Sequence, residues 1–537
     1  MPQRKRLHRT FNAKLLSAIF TMTLFTHSVF AAAPPQIHID SGLIEGGVDN
    51  AVLSFKGIPF AAPPLGDLRW RPPQPVQPWQ GVRAAKEYGA DCMQKPFAGD
   101  AAPLGVTPAE DCLVLNVWRP ANKAKKLPVM VWIYGGGFVN GGSSPAVYSG
   151  TQFAKNGVVF VSFNYRVGRF GFFGFPALSQ EFPNEPKGNY GYMDQIAALQ
   201  WVQRNIKAFG GDPNNVTVFG ESAGGASVHM LLTSPLARGL FHKAIVQSGG
   251  GRGSLMGERS LSESKPGLPS AEEIGINFAR KHGIEGSDAA ALAQLRTLPA
   301  EKIVDGLDLN ALFIPMKAPT YSGPINDGKI VVGTPQDIYR RGENIKVPII
   351  TGANSADLGF TVAPTKDALF AAFGSQRDAA QVAYDADGAL PLPLLKNMTG
   401  MDKVMVEPAR FVVREFAKQN LPAYEYRFSY VAQSMQNEWK TGAPHATEIP
   451  YVFDTVTAKY GEKIAPEDKA IARIANSYWA NFAKTGNPNG VGLPQWPRYD
   501  TQRDELMDFS ADGSVKALVD PWRARLNATA SVAEQTK

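Results

Sequence analysis

Along the chain, short apolar runs alternate with longer stretches in which apolar residues recur at helical spacing. LPVMVWIY (Leu127–Tyr134) and VVFVSFNY (Val158–Tyr165) are rich in Val, Ile and aromatics and read as buried strands. DQIAALQWVQRNIKAFGG (Asp194–Gly211) has the helical period, opens on an acid and ends at two glycines. VTVF (Val216–Phe219), KAIVQSG (Lys243–Gly249) and VPIITG (Val347–Gly352) are further short strands. Strands separated by helices predict an α/β protein with a mostly parallel sheet covered on both faces. The region Gly253–Asn344, rich in Ser, Gly, Pro and charge, is expected to hold helical insertions over the sheet. No repeat or linker divides residues 34–537, which read as one domain.

The first 33 residues break this pattern. A basic start (Arg4, Lys5, Arg6, Arg9, Lys14) precedes the apolar run LLSAIFTMTLF (Leu15–Phe25) and the small residues of SVFAAAP. That is the layout of a secretory signal peptide. A membrane anchor is the competing reading, but spanning takes roughly 20 apolar residues and this run is shorter. Residues 1–33 are therefore expected to be removed on export to the periplasm or the outside, leaving no membrane span. They also carry the charge. The whole chain is +7, yet the five cations lie in the leader with no acid, so the remainder is +2. A nucleic-acid partner is not supported. The two cysteines, Cys92 and Cys112, form one disulfide or remain two buried thiols; export favours the disulfide. Closing that loop would be worth about 3 kcal/mol in the chain-entropy description.

FGESAGG (Phe219–Gly225) follows the strand VTVF and precedes a helical pattern. Gly220-Glu221-Ser222-Ala223-Gly224 fits G-x-S-x-G, the tight strand-to-helix turn that lifts a serine hydroxyl above a sheet. The turn also aims the Ala223 N–H, at a helix N-terminus, toward the reacting atoms. YGGGF (Tyr134–Phe138) follows another buried strand, where glycines allow backbone N–H groups to approach an oxyanion. The serine needs a base. Outside the leader the histidines are His38, His229, His242, His282 and His445. In this fold the triad order is serine, acid, histidine. His38 comes too early, and His229 lies two helical turns past the serine. His242 and His282 sit among charges and read as surface residues. His445, in GAPHATEIPYVF, remains. For the acid, VPIITGANSADLGF supplies a strand and then Asp357, the only acid of that loop. Asp327 follows a Pro-containing turn and reads as structural; Glu448 reads as a local buried partner of His445.

These residues resemble the type-B carboxylesterase and cholinesterase family of α/β-hydrolases. FGGDPNNVTVFGESAG (Phe209–Gly224) is similar to its serine signature and EDCLVLNVW (Glu110–Trp118) to its second signature. GIPFAAPPLGDLRWRPP, NYRVGRFGF, GNYGYMDQIAALQWVQRNI and HATEIPYVF extend the likeness along residues 34–537. The resemblance implies an α/β-hydrolase fold with helical insertions over the active site. It makes Ser222 the nucleophile, His445 the base, and Gly136, Gly137 and Ala223 the oxyanion hole. Asp357 stands where the family usually has Glu. The resemblance also pairs Cys92 with Cys112, makes Arg69–Glu110 a structural ion pair, and sets Ser248 near the acid. The family's choline-binding tryptophan is missing from the loop between the cysteines, whose one aromatic is Phe97. Ester hydrolysis without metal or organic cofactor is the expected activity, on a small-molecule or polymeric ester. Lipase, amidase and polymer-ester hydrolase are alternatives within the same chemistry. A non-catalytic adhesion module is the alternative outside it.

Overall fold

A computed structural model describes residues 34–97, 99–253, 259–314 and 317–535; the leader lies outside them. Residues 35–537 form one unit by contact. Its central sheet has eleven strands. They are β1 (Gly47–Asp49), β2 (Val52–Pro59), β3 (Val114–Pro120), β4 (Leu127–Ile133), β5 (Val159–Phe163) and β6 (Gly211–Glu221). The rest are β7 (Lys243–Gln247), β8 (Ile349–Asn354), β9 (Ala423–Phe428), β10 (Glu505–Phe509) and β11 (Val515–Val519). Their spatial order is β11-β10-β9-β8-β7-β6-β4-β5-β3-β2-β1, with β5, β4 and β6 to β10 parallel. The antiparallel strands lie at the two margins. Every residue of β7, β8 and β9 is buried, as expected of strands covered on both faces.

Helices flank this sheet. The main ones are α1 (Tyr190–Asn205), α2 (Ala223–Thr233), α3 (Glu407–Lys418) and α4 (Pro466–Thr485). α2 packs on β6 and β7, α3 on β8 and β9, and α4 on β4 and β6. The expected insertion contains helices Ala271–Lys281, Ala289–Thr297, Ala300–Val304 and Pro335–Arg341. α1 begins four residues before the acid expected to open it. Asp194 is no terminal residue: its carboxylate turns inward and binds the Arg166 guanidinium through two contacts of 2.8 and 2.7 Å. A tight turn, Ile206–Phe209, follows α1, and Gly210 ends it at φ +79°.

Beneath the middle of the sheet lies a cluster of rings. Trp132 of β4 meets Phe219 of β6 at 4.8 Å and Phe453 at 4.9 Å between ring centres. Phe219 and Phe453 stack at 5.8 Å. Aromatic pairs at such spacing add about 0.5–1.5 kcal/mol beyond the area they bury. Phe453 belongs to the segment that follows His445, so the same cluster ties that segment under β6.

Candidate active site

The turn between β6 and α2 holds Ser222 at φ +57° and ψ −122°. A non-glycine residue there costs on the order of 1–3 kcal/mol, which the surrounding contacts must hold in place. The Ser222 N–H donates to the Gln247 carbonyl at 2.9 Å, and the Ser222 carbonyl accepts from Ala226 N–H at 2.8 Å. The flanking glycines are sterically required. A Cβ on Gly224 would lie 2.0 Å from the Ile133 carbonyl oxygen, and one on Gly220 would lie 2.6 Å from the Gly224 backbone.

The glycine loop after β4 lies against this turn. A Cβ on Gly135 would come within 3.0 Å of the Ser222 Cβ. Gly136 and Gly137 have φ of +100° and +62°, backbone that an L side chain rarely adopts. Gly136 and Gly137 therefore follow directly on the residue that touches Ser222, and Ala223 is the first residue of α2.

Asp357 sits just past the C-terminal end of β8. Its Oδ1 is 2.5 Å from His445 Nδ1. Its Oδ2 accepts from Ser248 Oγ at 2.6 Å and from the Asn354 N–H at 2.8 Å. Burial alone would raise the Asp357 pKa; the His445 charge and these hydrogen bonds outweigh it and hold the carboxyl below its ordinary value. The His445 loop is fastened to the same strand end. Asn354 Nδ2 donates to the Pro444 carbonyl at 2.7 Å, and Ala443 N–H donates to Ser355 Oγ at 2.9 Å.

On its other side His445 Nε2 lies 3.1 Å from Oε1 of Glu221, the residue directly before Ser222. Burial pushes the Glu221 carboxyl well above its ordinary value. Burial would lower the His445 pKa, but the Glu221 and Asp357 carboxylates outweigh it and raise it. Glu448 is fully buried and does not touch His445 through its carboxylate. Its oxygens take Gln247 Nε2 at 3.0 Å and Asn354 Nδ2 at 2.7 Å, so it braces the strand ends beneath the imidazole.

The other expected residues are found as follows. Cys92 and Cys112 are joined in a disulfide. Arg69 and Glu110 pair at 2.6 Å, and Arg69 also donates to the Arg296 and Leu298 carbonyls. Asp327 accepts three backbone N–H groups, from Lys329, Ile330 and Val331, and closes a turn. His229 is buried and contacts the Tyr339 hydroxyl at 2.7 Å; burial lowers its pKa to about 4. His242 and His282, expected at the surface, are half-buried: His242 Nδ1 accepts the Val216 N–H, and the His282 ring packs edge-on to Phe278. Glu221 was the neighbour that sequence reasoning passed over. Its signal was its place inside G-x-S-x-G, but a carboxylate beside a serine says nothing of which histidine it will face. An apolar pocket borders α2, with Phe138, Ala226, Met230, Ile325 and Val331 in its walls.

A parallel sheet with a serine on a left-handed turn at the end of its middle strand, and an Asp–His contact beside that turn, defines an α/β-hydrolase. The profile of the carboxylesterase family matches residues 33–390 and 392–524. The fumonisin B1 esterase of Sphingopyxis macrogoltabida is 36% identical over 507 residues, 91% of this chain and 89% of that protein. The liver carboxylesterase of Sus scrofa is 33% identical over 527 residues, 88% of this chain and 89% of that protein. Among solved structures, a PNB esterase superposes with a TM-score of 0.77 at 30% identity, covering 92% of this chain and 99% of that one. The chain belongs to the carboxylesterase family and is a carboxylic ester hydrolase.

Proposed function

We propose that this protein is an exported serine carboxylesterase that works through an acyl-enzyme on Ser222. The observation that carries the reading is the 2.5 Å contact of Asp357 with His445, set against the turn that presents Ser222. In the first step His445 Nε2 takes the hydroxyl proton as Ser222 Oγ attacks the ester carbonyl. The N–H groups of Gly136, Gly137 and Ala223 receive the oxyanion, each such donor worth roughly 3 kcal/mol in the transition state. Asp357 fixes the imidazole with Nδ1 protonated and balances the imidazolium. His445 returns the proton to the departing alcohol. Water then repeats the attack on the acyl-enzyme and releases the acid, regenerating the Ser222 hydroxyl.

Residues 34–537 act as the single catalytic domain, and the leader directs export. The leader's pattern and the Cys92–Cys112 disulfide support that location. Fumonisin B1, named for the Sphingopyxis relative, belongs in the first substrate panel beside short and long acyl esters, emulsions and amides. The decisive experiment is Ser222→Ala. Turnover of a p-nitrophenyl ester is expected to fall by roughly a million-fold with the fold intact, and fluorophosphonate labelling to vanish. Near-native turnover by that variant would remove Ser222 from the mechanism.

A further inference from the structure

The turn that contains Gly136 and Gly137 has side chains only at Phe138, Val139 and Asn140. Five of the eight residues from Gly135 to Gly142 are glycine. Glycine is the residue with the most backbone freedom to lose, so something outside the turn must define it. The turn closes on itself where the Gly136 carbonyl accepts N–H groups from Val139 at 3.1 Å and Asn140 at 2.9 Å. It has no slack: a Cβ on Gly136 would lie 2.3 Å from the Asn140 carbonyl oxygen. Any movement at Asn140–Gly141 is therefore passed to Gly136.

Asn140 Oδ1 accepts the Leu309 N–H at 3.0 Å, and the remaining grip on Asn140 and Gly141 comes from the segment around the disulfide. The buried Gln94 carboxamide spans both polar backbone groups of Gly141. Its Oε1 accepts the Gly141 N–H at 2.8 Å, and its Nε2 donates to the Gly141 carbonyl at 2.6 Å. The same amide uses its remaining capacity on Asn140 Nδ2 at 3.2 Å and on the Cys92 carbonyl at 2.9 Å. Asn140 Nδ2 also donates to the Lys95 carbonyl at 2.7 Å. On the near side of the cysteine, Asp91 Oδ1 accepts the Ser143 N–H at 3.0 Å. The chain on either side of Cys92 thus holds one end of the glycine turn, and the bond to Cys112 holds Cys92.

We propose that Gln94 is a positioning residue for the oxyanion hole, transmitting the rigidity of the Cys92–Cys112 loop to the N–H groups of Gly136 and Gly137. The inference rests on the reading of those two N–H groups as oxyanion donors. Gln94 touches no reacting atom. It sets the aim of the donors, and a donor matters to the extent that it meets the charge of the transition state.

The test uses the full chain with Gln94→Met, which keeps length and loses every hydrogen bond, and Gln94→Glu, which loses both donors. Tyr384→Phe, in the helix Arg377–Asp385, serves as a destabilised control. Folding is checked by circular dichroism and by urea unfolding. Rates on a p-nitrophenyl ester are compared with affinity for a trifluoromethyl ketone, whose adduct on Ser222 bears the oxyanion. In both Gln94 variants kcat is expected to fall roughly tenfold to a hundredfold, with KM little changed and the ketone weakened by the same factor. If either variant fails to fold, Cys92→Ser/Cys112→Ser carries the test with the same expected pattern and a smaller loss. Native kcat and ketone affinity in a folded Gln94 variant, or losses matched by Tyr384→Phe, would overturn the proposal. A Ser222→Ala protein that still hydrolyses ester would instead refute the reading beneath it.

Discussion

Two sets of buried carboxylates stand in contrast. Around the C-terminal segments, three are bound to guanidinium groups: Asp402 to Arg525 at 2.8 Å, Asp520 to Arg427 at 3.0 Å, and Asp504 to Arg410. At the ends of β6 to β8, Glu221, Asp357 and Glu448 meet amides, a hydroxyl and an imidazole. Among the described residues, His445 is the one cation paired with any of these three. An arginine is always charged, so it consumes the charge of its partner permanently. An imidazole gains and loses its proton near neutral pH, so a carboxylate facing it keeps a charge that chemistry can draw on. The first set binds chain to chain; the second is kept free of competing cations.

The sharpest way to break this contrast is within the site. Asp357→Asn is expected to lower kcat by roughly ten-thousand-fold, because the imidazole loses its orientation and its balancing charge. Glu448→Gln is expected to cost far less, since it removes a brace and no contact to His445. Steady-state rates on one ester rank the two, and the reverse order would make Glu448 the acid. In the other set, Arg427→Met strands the Asp520 carboxylate, which pairs with no other cation among the described residues. Removing one partner of a buried pair costs about 3–5 kcal/mol. Urea unfolding should show that loss, while kcat per labelled serine stays native.

The pH profile sharpens the comparison further. In the proposed mechanism hydrolysis needs neutral His445, so kcat/KM is expected to rise as pH climbs through its pKa. The nearby carboxylates raise that pKa, which sets the rising limb above the ordinary imidazole value of 6.5. In the residual activity of Asp357→Asn the limb should move to lower pH; an unmoved limb would mean that Asp357 does not face the titrating imidazole. The smallest effect is expected from Tyr384→Phe, which deletes a 2.7 Å hydrogen bond to Asp402. A loss of about 1 kcal/mol in unfolding free energy with unchanged kinetics is the outcome to look for.

The strands of the sheet were legible from their apolar runs, though β6 starts at Gly211 rather than Val216 through an irregular register with β4. Ser222 and the glycine loop announce themselves by local sequence, because a tight turn demands glycine at fixed offsets. His445 and Asp357 were reached through chain order and strand ends, and the structure brings them into contact. What stayed hidden were amide side chains whose partners lie far along the chain. Gln94 binds Gly141, and Asn354 binds Glu448, across separations of 47 and 94 residues. An isolated Gln or Asn has no periodicity and no charge to mark it. The start of α1 was misplaced for the opposite reason: Asp194 has the chemistry of a helix opener, but a distant arginine claimed it.

The ring cluster beneath β6 has one more implication. Phe219 comes three residues before Ser222, and Phe453 eight residues after His445, and both lean on Trp132. Hydroxyl and imidazole, set 223 positions apart, thus hang from a single shared keystone. Warming that loosens the keystone is expected to unseat both together rather than one after the other.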